Sequence, residues 1–279
     1  MEVINLFETT VRGALSPEWN RFIDDALSYQ HPHSKGLPLM NPFHVVLIVS
    51  GYLLSVLIGR LVMGAKQQKF EVKTFSLIHN LFLVLLSSYM FIESYRQAFI
   101  NGFTLWGNGV DPTPAGVPLA NVLWIFYASK IVEFVDTWIM LLKKNFHQVS
   151  FLHVYHHISV FMIWWGVIFY APGGDSYFTA GLNSFIHVLM YSYYFLTALG
   201  YNVVYKYYLT QAQMFQFCMM LAQSTYHMIY GTRGYYPPLL ATVLFWYMLT
   251  LLALFMNFYI KSKSRPKKPA ATQPTKKTQ

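Results

Sequence analysis

The stretch 150-SFLHVYHHISVFMIWWGVIFY-170 contains no Asp, Glu, Lys or Arg. At 1.5 Å of rise per residue, about twenty apolar residues cross the hydrocarbon core of a bilayer as a helix. The same stretch carries His153, His156 and His157, and ionisable side chains inside a membrane are costly and commonly functional. It therefore predicts a membrane-spanning helix and a site where imidazoles hold a metal, move a proton or attack a substrate.

The composition of the whole chain also indicates a membrane protein. Of its 279 residues, 55% are hydrophobic and 11% are charged, against about 25% charged in soluble domains. The single cysteine, Cys218, excludes an internal disulfide framework and a CxxC metal or redox motif. The first residues, MEVINLFETT, lack the basic and apolar regions of a cleaved signal peptide. We predict an all-α integral membrane protein.

Seven apolar ranges are long enough to be membrane spans. They lie at 43–63, 75–95, 118–142, 150–170, 177–199, 209–230 and 236–260. Before them, residues 17–29 (PEWNRFIDDALSY) have the pattern of a short amphipathic helix that lies in the membrane interface.

The basic residues predict the orientation. With the carboxyl-terminal tail in the cytosol, fourteen of the twenty Lys and Arg lie on the cytosolic side, five lie on the other side, and Lys130 is inside a span. This distribution fits the positive-inside rule. Seven of the fourteen belong to the tail, so the net charge of +9 reflects topology and anionic lipid, and we expect no nucleic-acid binding. The expected parts are a non-cytosolic amino-terminal segment at 1–42, a seven-helix domain at 43–260 and a basic cytosolic tail at 261–279.

Four of the predicted spans carry polar or aromatic side chains at helical spacing. They are Lys130, Glu133, Asp136 and Thr137 in the third span, His153, His156 and His157 in the fourth, Asn183, His187, Met190, Tyr191 and Tyr194 in the fifth, and Thr210, Gln213 and Gln216 in the sixth. Within each span they share a face, about 120° wide in the third. A structural Lys130–Glu133 pair and simple packing of the tyrosines are the plainer alternatives. Because neighbouring spans run in opposite directions, most of these faces lie in the cytosolic halves, which predicts a polar chamber open to the cytosol.

Together these segments resemble the fatty acid elongase family, the membrane condensing enzymes of very-long-chain fatty acid synthesis. The motifs are KxxExxDT from Lys130, HxxHH from His153, NxxxHxxMYxYY from Asn183 and TxxQxxQ from Thr210. HxxHH alone also occurs in membrane desaturases and hydroxylases, whereas the four motifs in this order are specific. The resemblance implies seven transmembrane helices, six of which surround a narrow substrate tunnel.

The resemblance also implies a reaction. A long-chain acyl-CoA and malonyl-CoA would condense with decarboxylation to give 3-oxoacyl-CoA, CO2 and CoA, with no metal or other cofactor, through an acyl-imidazole on His156. The other expected catalytic residues are His153, His157, Asp136 and Glu133, which would fix the tautomer and basicity of the nucleophile, and His187 and Asn183, which would stabilise an oxyanion or an enolate.

The expected substrate-binding residues lie in the same chamber or at its cytosolic mouth. They are Lys130, Thr137, Tyr191, Tyr194, Thr210, Gln213, Gln216, Lys143, Lys144 and Lys206. Cationic side chains at the mouth suit the phosphates of CoA, although topology alone also explains the last three lysines. In the sixth span, Met220, Gln223 and His227 are expected to form the tunnel floor.

Two further resemblances refine the substrate and the location. The run 148-QVSFLHVYHH-157 is similar to QxxxLHVYHH, the form associated with elongases of polyunsaturated chains, which favours a C18 or C20 polyunsaturated acyl-CoA. The final KKTQ, with Lys276 and Lys277, resembles a dilysine retrieval signal of the endoplasmic reticulum membrane. The expected partners are the two CoA substrates and membrane lipid, with homo-oligomers or other enzymes of the elongation cycle suggested by the family.

A di-iron membrane desaturase or hydroxylase is the main alternative. Such enzymes bind iron through several histidine clusters, whereas this chain has one, and the other histidines, including His79 and His227, are expected at scattered depths and sides. A seven-helix receptor or a transporter is a further alternative, although no internal repeat favours a transporter.

Overall fold

The computed structural model describes residues 2–264, with side chains from Asn5 onward. Within that range the regular elements are helices and there is no β-strand, only an isolated bridge between Asn108 and Arg233. The α-helices are α1 (Glu2–Ala14), α2 (Pro17–Ser28), α3 (Pro42–Ala65), α4 (Lys73–Ile100), α5 (Val117–Glu133), α6 (Val135–Leu142), α7 (Phe151–Tyr170), α8 (Ser176–Leu199), α9 (Lys206–Tyr230) and α10 (Pro238–Lys263). The predicted all-α class is confirmed.

Helices occupy each of the seven predicted spans. By length and composition, five stretches can cross a membrane: Pro42–Ala65, Lys73–Ile100, Pro114–Leu142, Phe151–Tyr170 and Pro238–Lys263. Helices α8 and α9 are 24 and 25 residues long, but their polar and tyrosine side chains lower their hydropathy and they are not among the five. The chain is a multi-pass membrane protein, and the count of seven spans stays a prediction.

The third predicted span is not one uninterrupted helix. The chain leaves the α-helical pattern at Phe134, where the amide of Phe134 donates to the carbonyl of Ile131 and the amide of Thr137 donates to the carbonyl of Phe134. Each of these bonds joins residues three apart, whereas α-helical bonds join residues four apart. The turn is therefore tighter, and the residues after it are rotated relative to a continuous α-helix. The break separates Lys130 and Glu133 on α5 from Asp136 and Thr137 on α6.

Two long helix pairs and a central core hold the bundle together. Helix α4 packs along α8, and α9 packs along α10. The α4–α8 approach depends on Gly181, because a Cβ there would lie 2.5 Å from the ring of Tyr95. Helices α5 and α7 meet through Tyr127 and Phe161, whose rings stack at 5.0 Å. Both of these side chains are fully buried.

The connecting segments gather at the two ends of the bundle. At one end, which we call the histidine end, the amide of Phe70 donates to the carbonyl of Leu142, and a guanidinium N–H of Arg60 donates to the carbonyl of Val149. These bonds join the segment after α3 to the segments that flank the start of α7. The opposite end, which we call the loop end, holds residues 101–116, 171–175 and 231–237.

The amino-terminal helices form a hairpin tied to the start of α3. Arg12 on α1 bonds Glu8 and Asp24, each at 2.9 Å, and Asn41 donates to Glu8 at 2.8 Å. Helix α2 matches the helix predicted at residues 17–29, while α1 was not predicted. Trp19 is 59% exposed and lies beside an exposed Phe22, as a helix in a membrane interface requires; that location stays a prediction.

Candidate active site

Three helices form a buried polar network around Glu133. Its Oε1 lies 2.7 Å from Nζ of Lys130 and 3.3 Å from Nδ1 of His187 on α8. The second pair is within ion-pair distance but is not aligned as a hydrogen bond. Lys130 Nζ also lies 3.5 Å from Asn183 Oδ1, and Asn183 Nδ2 lies 3.4 Å from Gln216 Oε1 on α9. We call these five residues the Glu133 network.

A second network forms around the neighbouring residues of α6. Asp136 Oδ1 lies 2.9 Å from Nε2 of His79 on α4, and Asp136 Oδ2 accepts a 2.6 Å hydrogen bond from the hydroxyl of Tyr191 on α8. Thr137 Oγ1 lies 2.8 Å from both the Tyr52 hydroxyl on α3 and Nε2 of His153 on α7. This Asp136–Thr137 network ties α6 to four other helices.

The helix break at Phe134 explains why there are two networks. The sequence analysis predicted that Lys130, Glu133, Asp136 and Thr137 share one continuous face. Before the tight turn, Lys130 and Glu133 meet side chains of α8. After it, Asp136 meets His79 on α4, and Thr137 meets His153 on α7. The ring of Phe134 fills the space between, 4.2 Å from the ring of Tyr52.

The three histidines of the HxxHH motif do not share one environment. Ser150 caps α7 by accepting a hydrogen bond from the amide of His153. The His153 and His157 rings lie 4.3 Å apart, edge to face, and His157 also meets Phe134. Nδ1 of both His156 and His157 is buried without a hydrogen-bond partner in residues 2–264. Of the three histidines, His156 lines the cavity described next. An imidazole held in this way has a free nitrogen for chemistry.

The cavity is narrow, about 50 Å³, and runs between α7, α8, α9 and α10. At its polar end it is lined by His156, Asn183 and Gln216, and at its far end by Ser176, Thr179 and Tyr236. The wall between is mostly apolar and is formed by Val160, Ile163, Trp164, Val167, Phe217, Met220, Leu240, Leu244, Tyr247, Met248 and Leu251. His156 and Val167 are eleven residues apart on α7, so the cavity extends for about 16 Å.

Several predicted substrate-binding residues lie away from this cavity. Tyr194 is 37% exposed, Thr210 is half-buried, and Gln213 contacts only the sulfur of Met190, at 3.9 Å. The lysines at the histidine end are dispersed. Lys144 Nζ donates to the carbonyl of Lys66, Lys143 is half-buried, and Lys206 is exposed with its ammonium over the Tyr207 ring.

Only one of the three residues expected to form the tunnel floor lines this cavity. Met220 lines the cavity, but Gln223 and His227 face a different site at the loop end. His227 Nε2 contacts Asp175 Oδ2, and Gln223 Nε2 donates to the Asp175 carbonyl at 2.9 Å. The residues at the far end of the cavity are Ser176 and Tyr236, whose hydroxyls lie 3.1 Å apart, together with Thr179.

Asp175 is the centre of a clamp at the loop end. Its buried carboxylate accepts hydrogen bonds from the amides of Gly107 and Asn108 and from the Asn108 side chain, at 2.6 to 2.7 Å. Gly109 then runs beside the Arg233 backbone, so close that a Cβ at Gly109 would collide with it. The clamp fixes the segments that flank the far end of the cavity.

Tyr52 and His79 were missed by the sequence analysis. Tyr52 resembled one more aromatic residue in an apolar span, and His79 was placed among the scattered histidines. The depth of His79 was the available signal. His79 lies six residues after the start of α4, and Asp136 lies six residues before the end of α6. Both of these helix ends are at the histidine end, so the two side chains lie at the same depth. In residues 2–264, no three His, Cys, Asp or Glu side chains are arranged to hold a metal ion. A metal-free reaction stays a prediction.

Comparison with known proteins gives the family. The model of the family described as "ELO: GNS1/SUR4 family" matches residues 37–271. The chain is 43% identical to "Fatty acid elongase 6" of Leishmania major over 272 residues, which cover 93% of this chain and 70% of that protein. It is 39% identical to "Very long chain fatty acid elongase 5" of Xenopus tropicalis over 254 residues, 88% and 84% of the two chains.

A third relative agrees with these two. Identity to "Very long chain fatty acid elongase 2" of Mus musculus is 36% over 254 residues, which cover 89% of this chain and 86% of that protein. These matches extend over all four motifs and confirm the resemblance that the motifs predicted. The chain belongs to the ELO (GNS1/SUR4) family, in which the relatives compared are named fatty acid elongases.

Proposed function

We propose that this membrane protein is a fatty acid elongase that condenses a long-chain acyl-CoA with malonyl-CoA to give 3-oxoacyl-CoA, CO2 and CoA. The observation that carries the proposal is the position of His156 at the polar end of a narrow, mostly apolar cavity. An acyl chain in the cavity would bring its thioester to this imidazole. The family match supports elongation, and no finding favours the desaturase alternative.

In the first step His156 attacks the thioester of the acyl-CoA. A C–N bond forms as the C–S bond breaks, and the proton lost by the imidazole goes to the departing CoA thiolate. The acyl-imidazole divides one difficult condensation into two easier steps. Asn183 lines the same end of the cavity, and its amide is suited to stabilise the oxyanion of the tetrahedral intermediate.

In the second step malonyl-CoA loses CO2, and the enolate attacks the acyl carbon. The new C–C bond forms as the C–N bond to His156 breaks, and the imidazole regains a proton. His187 lies between the Glu133 carboxylate and Tyr191, whose ring is 5.6 Å from it. We assign His187 to stabilisation of the enolate and the Glu133 and Asp136–Thr137 networks to orientation of the histidines.

The substrate is a C18 or C20 polyunsaturated acyl-CoA. The form QxxxLHVYHH at residues 148–157 supports this class. Lys143, Lys144 and Lys206 lie at the histidine end and would meet the CoA phosphates. Lys130 is 1% exposed, which suits contact with Glu133 better than contact with a phosphate.

The protein resides in the endoplasmic reticulum membrane with seven spans, the amino terminus in the lumen and the tail in the cytosol. The uneven distribution of Lys and Arg supports this topology. The dilysine-type KKTQ with Lys276 and Lys277 supports the location and lies outside the described residues. Copies of the chain or other enzymes of the elongation cycle would be its partners.

One experiment tests the function. The protein is expressed in a host that lacks polyunsaturated elongases, the host is fed C16 to C22 fatty acids, and lipids are profiled for two-carbon additions. We expect additions to C18 or C20 polyunsaturated chains, loss of product in His156→Ala, and normal product in His147→Ala, which removes an exposed histidine at the same end. Normal elongation by His156→Ala would overturn the assignment of the nucleophile.

A second experiment tests the intermediate. Purified protein is incubated with acyl-CoA without malonyl-CoA, and its peptides are analysed by mass spectrometry under trapping conditions. We expect one acyl group on His156 and its release when malonyl-CoA is added. An acyl group on another residue, or stoichiometric iron in the active protein, would contradict the mechanism.

A further inference from the structure

Tyr52 reaches the histidine box from α3, a helix that carries none of the four family motifs. Its side chain is 3% exposed and its ring stacks on Phe134 at 4.2 Å. Its hydroxyl lies 2.8 Å from Thr137 Oγ1, which lies 2.8 Å from His153 Nε2. The three polar atoms therefore form one continuous chain inside the protein, and Thr137, at its centre, is completely buried.

The direction of the protons in this chain follows from counting them. Each hydroxyl has one proton to donate, and a neutral imidazole has one N–H and one acceptor nitrogen. If His153 donated from Nε2 to Thr137, Thr137 would donate to Tyr52. The Tyr52 proton would then have no acceptor among the described residues, because Thr137 is the only hydrogen-bond partner of that hydroxyl. A buried unpaired O–H is unfavourable.

The opposite direction pairs both buried hydroxyl protons, and Nδ1 of His153, which then carries the ring proton, is not among the buried unpaired atoms of residues 2–264. Tyr52 donates to Thr137, and Thr137 donates to Nε2 of His153. This arrangement requires Nε2 to be an acceptor, so the proton of the neutral ring is on Nδ1. It also disfavours the doubly protonated ring, in which both nitrogens are donors.

We infer that Thr137, which accepts from Tyr52 and donates to Nε2, is a positioning residue that holds His153 neutral and protonated on Nδ1. An uncharged His153 keeps its edge-to-face packing on His157, at 4.3 Å, and places no positive charge in the box that contains the nucleophile. The consequence for catalysis rests on the proposed function, whereas the tautomer does not.

The tautomer is measured by 15N NMR of histidine-labelled protein, in which the shifts of the two ring nitrogens distinguish the protonation states. The His153 signals are assigned by their loss in His153→Asn. We expect Nδ1–H in the unaltered protein and in Thr137→Ser, which keeps the hydroxyl. Thr137→Val breaks the chain, and we expect the Nε2–H form to appear. In Tyr52→Phe the Thr137 hydroxyl can still donate to Nε2, and we expect the Nδ1–H form to remain.

Tyr127→Phe is the matched control. Tyr127 is also buried and stacked on a phenylalanine, and its hydroxyl donates to the Leu39 carbonyl at 3.3 Å, outside both networks. We expect it to leave the His153 signals and the elongation rate unchanged. In Thr137→Val we expect kcat to fall about tenfold, the effect of one hydrogen bond, with KM for acyl-CoA unchanged because neither Thr137 nor His153 lines the cavity.

The outcomes separate this inference from the proposed function. His153 protonated on Nε2 or on both nitrogens in the unaltered protein, or an unchanged tautomer in Thr137→Val, would overturn the inference even in an active elongase. The expected tautomers in a protein that condenses no acyl-CoA would support the inference and overturn the proposed function.

Discussion

The Nε2 atom of His79 on α4 lies 2.9 Å from Oδ1 of Asp136 on α6. Both side chains are largely buried, at 6% and 13% exposure. A histidine outside the four motifs is therefore a direct partner of a motif carboxylate, which has consequences for stability and activity that can be measured.

His79→Ala would leave one Asp136 oxygen without its partner. We expect the free energy of unfolding to fall by about 2 kcal/mol, the value of a hydrogen bond to a charged group, and the elongation rate to fall with it. His79→Gln retains an N–H donor and is expected to recover much of both. Thermal unfolding and condensation assays check this, with His147→Ala as control; equal stability of His79→Ala and the control would contradict the contact.

Tyr236 is predicted to limit the length of the acyl chain, because it lines the end of the cavity farthest from His156. Tyr236→Ala would open this end and extend the product series by one or more two-carbon units. Tyr236→Phe keeps the ring and should leave product length unchanged. Lipid profiling checks this, and Tyr235→Ala is the control because that neighbour is exposed and does not line the cavity. An unchanged series in Tyr236→Ala would exclude this end as the limit.

Asp175→Asn is predicted to destabilise the protein more than a surface substitution. The buried carboxylate accepts three N–H hydrogen bonds and contacts His227, so loss of its charge should cost about 3 kcal/mol. For a domain of this size that corresponds to a fall in Tm of about 6 to 12 °C. Asp111→Asn, a carboxylate in the more exposed part of the same end, should change Tm by less. Equal changes would show that the clamp adds no stability.

The turn at His31 is predicted to weaken in acid. Burial, followed by repulsion from nearby His33, lowers the pKa of His31 below its ordinary value. Since the unfolded segment then binds the proton more readily, stability falls as the pH drops through about 6.5. Protonation also removes the Nδ1 acceptor of the His33 amide, 3.2 Å away.

Hydrogen exchange of the His33 amide measures this effect after correction for the intrinsic rate. We expect its protection to decrease between pH 7.5 and 5.5. In His31→Asn, whose side-chain oxygen can accept the same bond without titrating, protection should stay constant. Protection that is equally pH-independent in the unaltered protein would contradict the prediction.

The helices were predictable because a chain that crosses a bilayer has few alternatives to a helix. Backbone groups in hydrocarbon must be paired internally, so each long apolar run implies a helix. The Lys130–Glu133 contact was predictable too, since residues three apart on a helix are neighbours. The position of His156 on a helix face followed from the same periodicity.

The contacts between helices were not predictable from one sequence. Whether Tyr52 meets Thr137 depends on how far α3 and α6 are rotated about their axes, and hydropathy carries no information on rotation. The break at Phe134 has no proline or glycine to signal it. The contacts of Gln223 and His227 with Asp175 were not foreseen, because Asp175 lies before α8 and outside the polar faces that were considered.

The Asp175 clamp also constrains the order in which the protein can mature. The amides of Gly107 and Asn108 are synthesised early, but their acceptor follows 68 residues after Gly107, and His227 follows a further 52 residues after Asp175. During translation the clamp therefore stays incomplete while five more helices, α5 to α9, are synthesised. Closure of this end can occur only when the ribosome has almost completed the chain, so a truncated product that lacks α9 would insert its first helices and still lack a finished cavity.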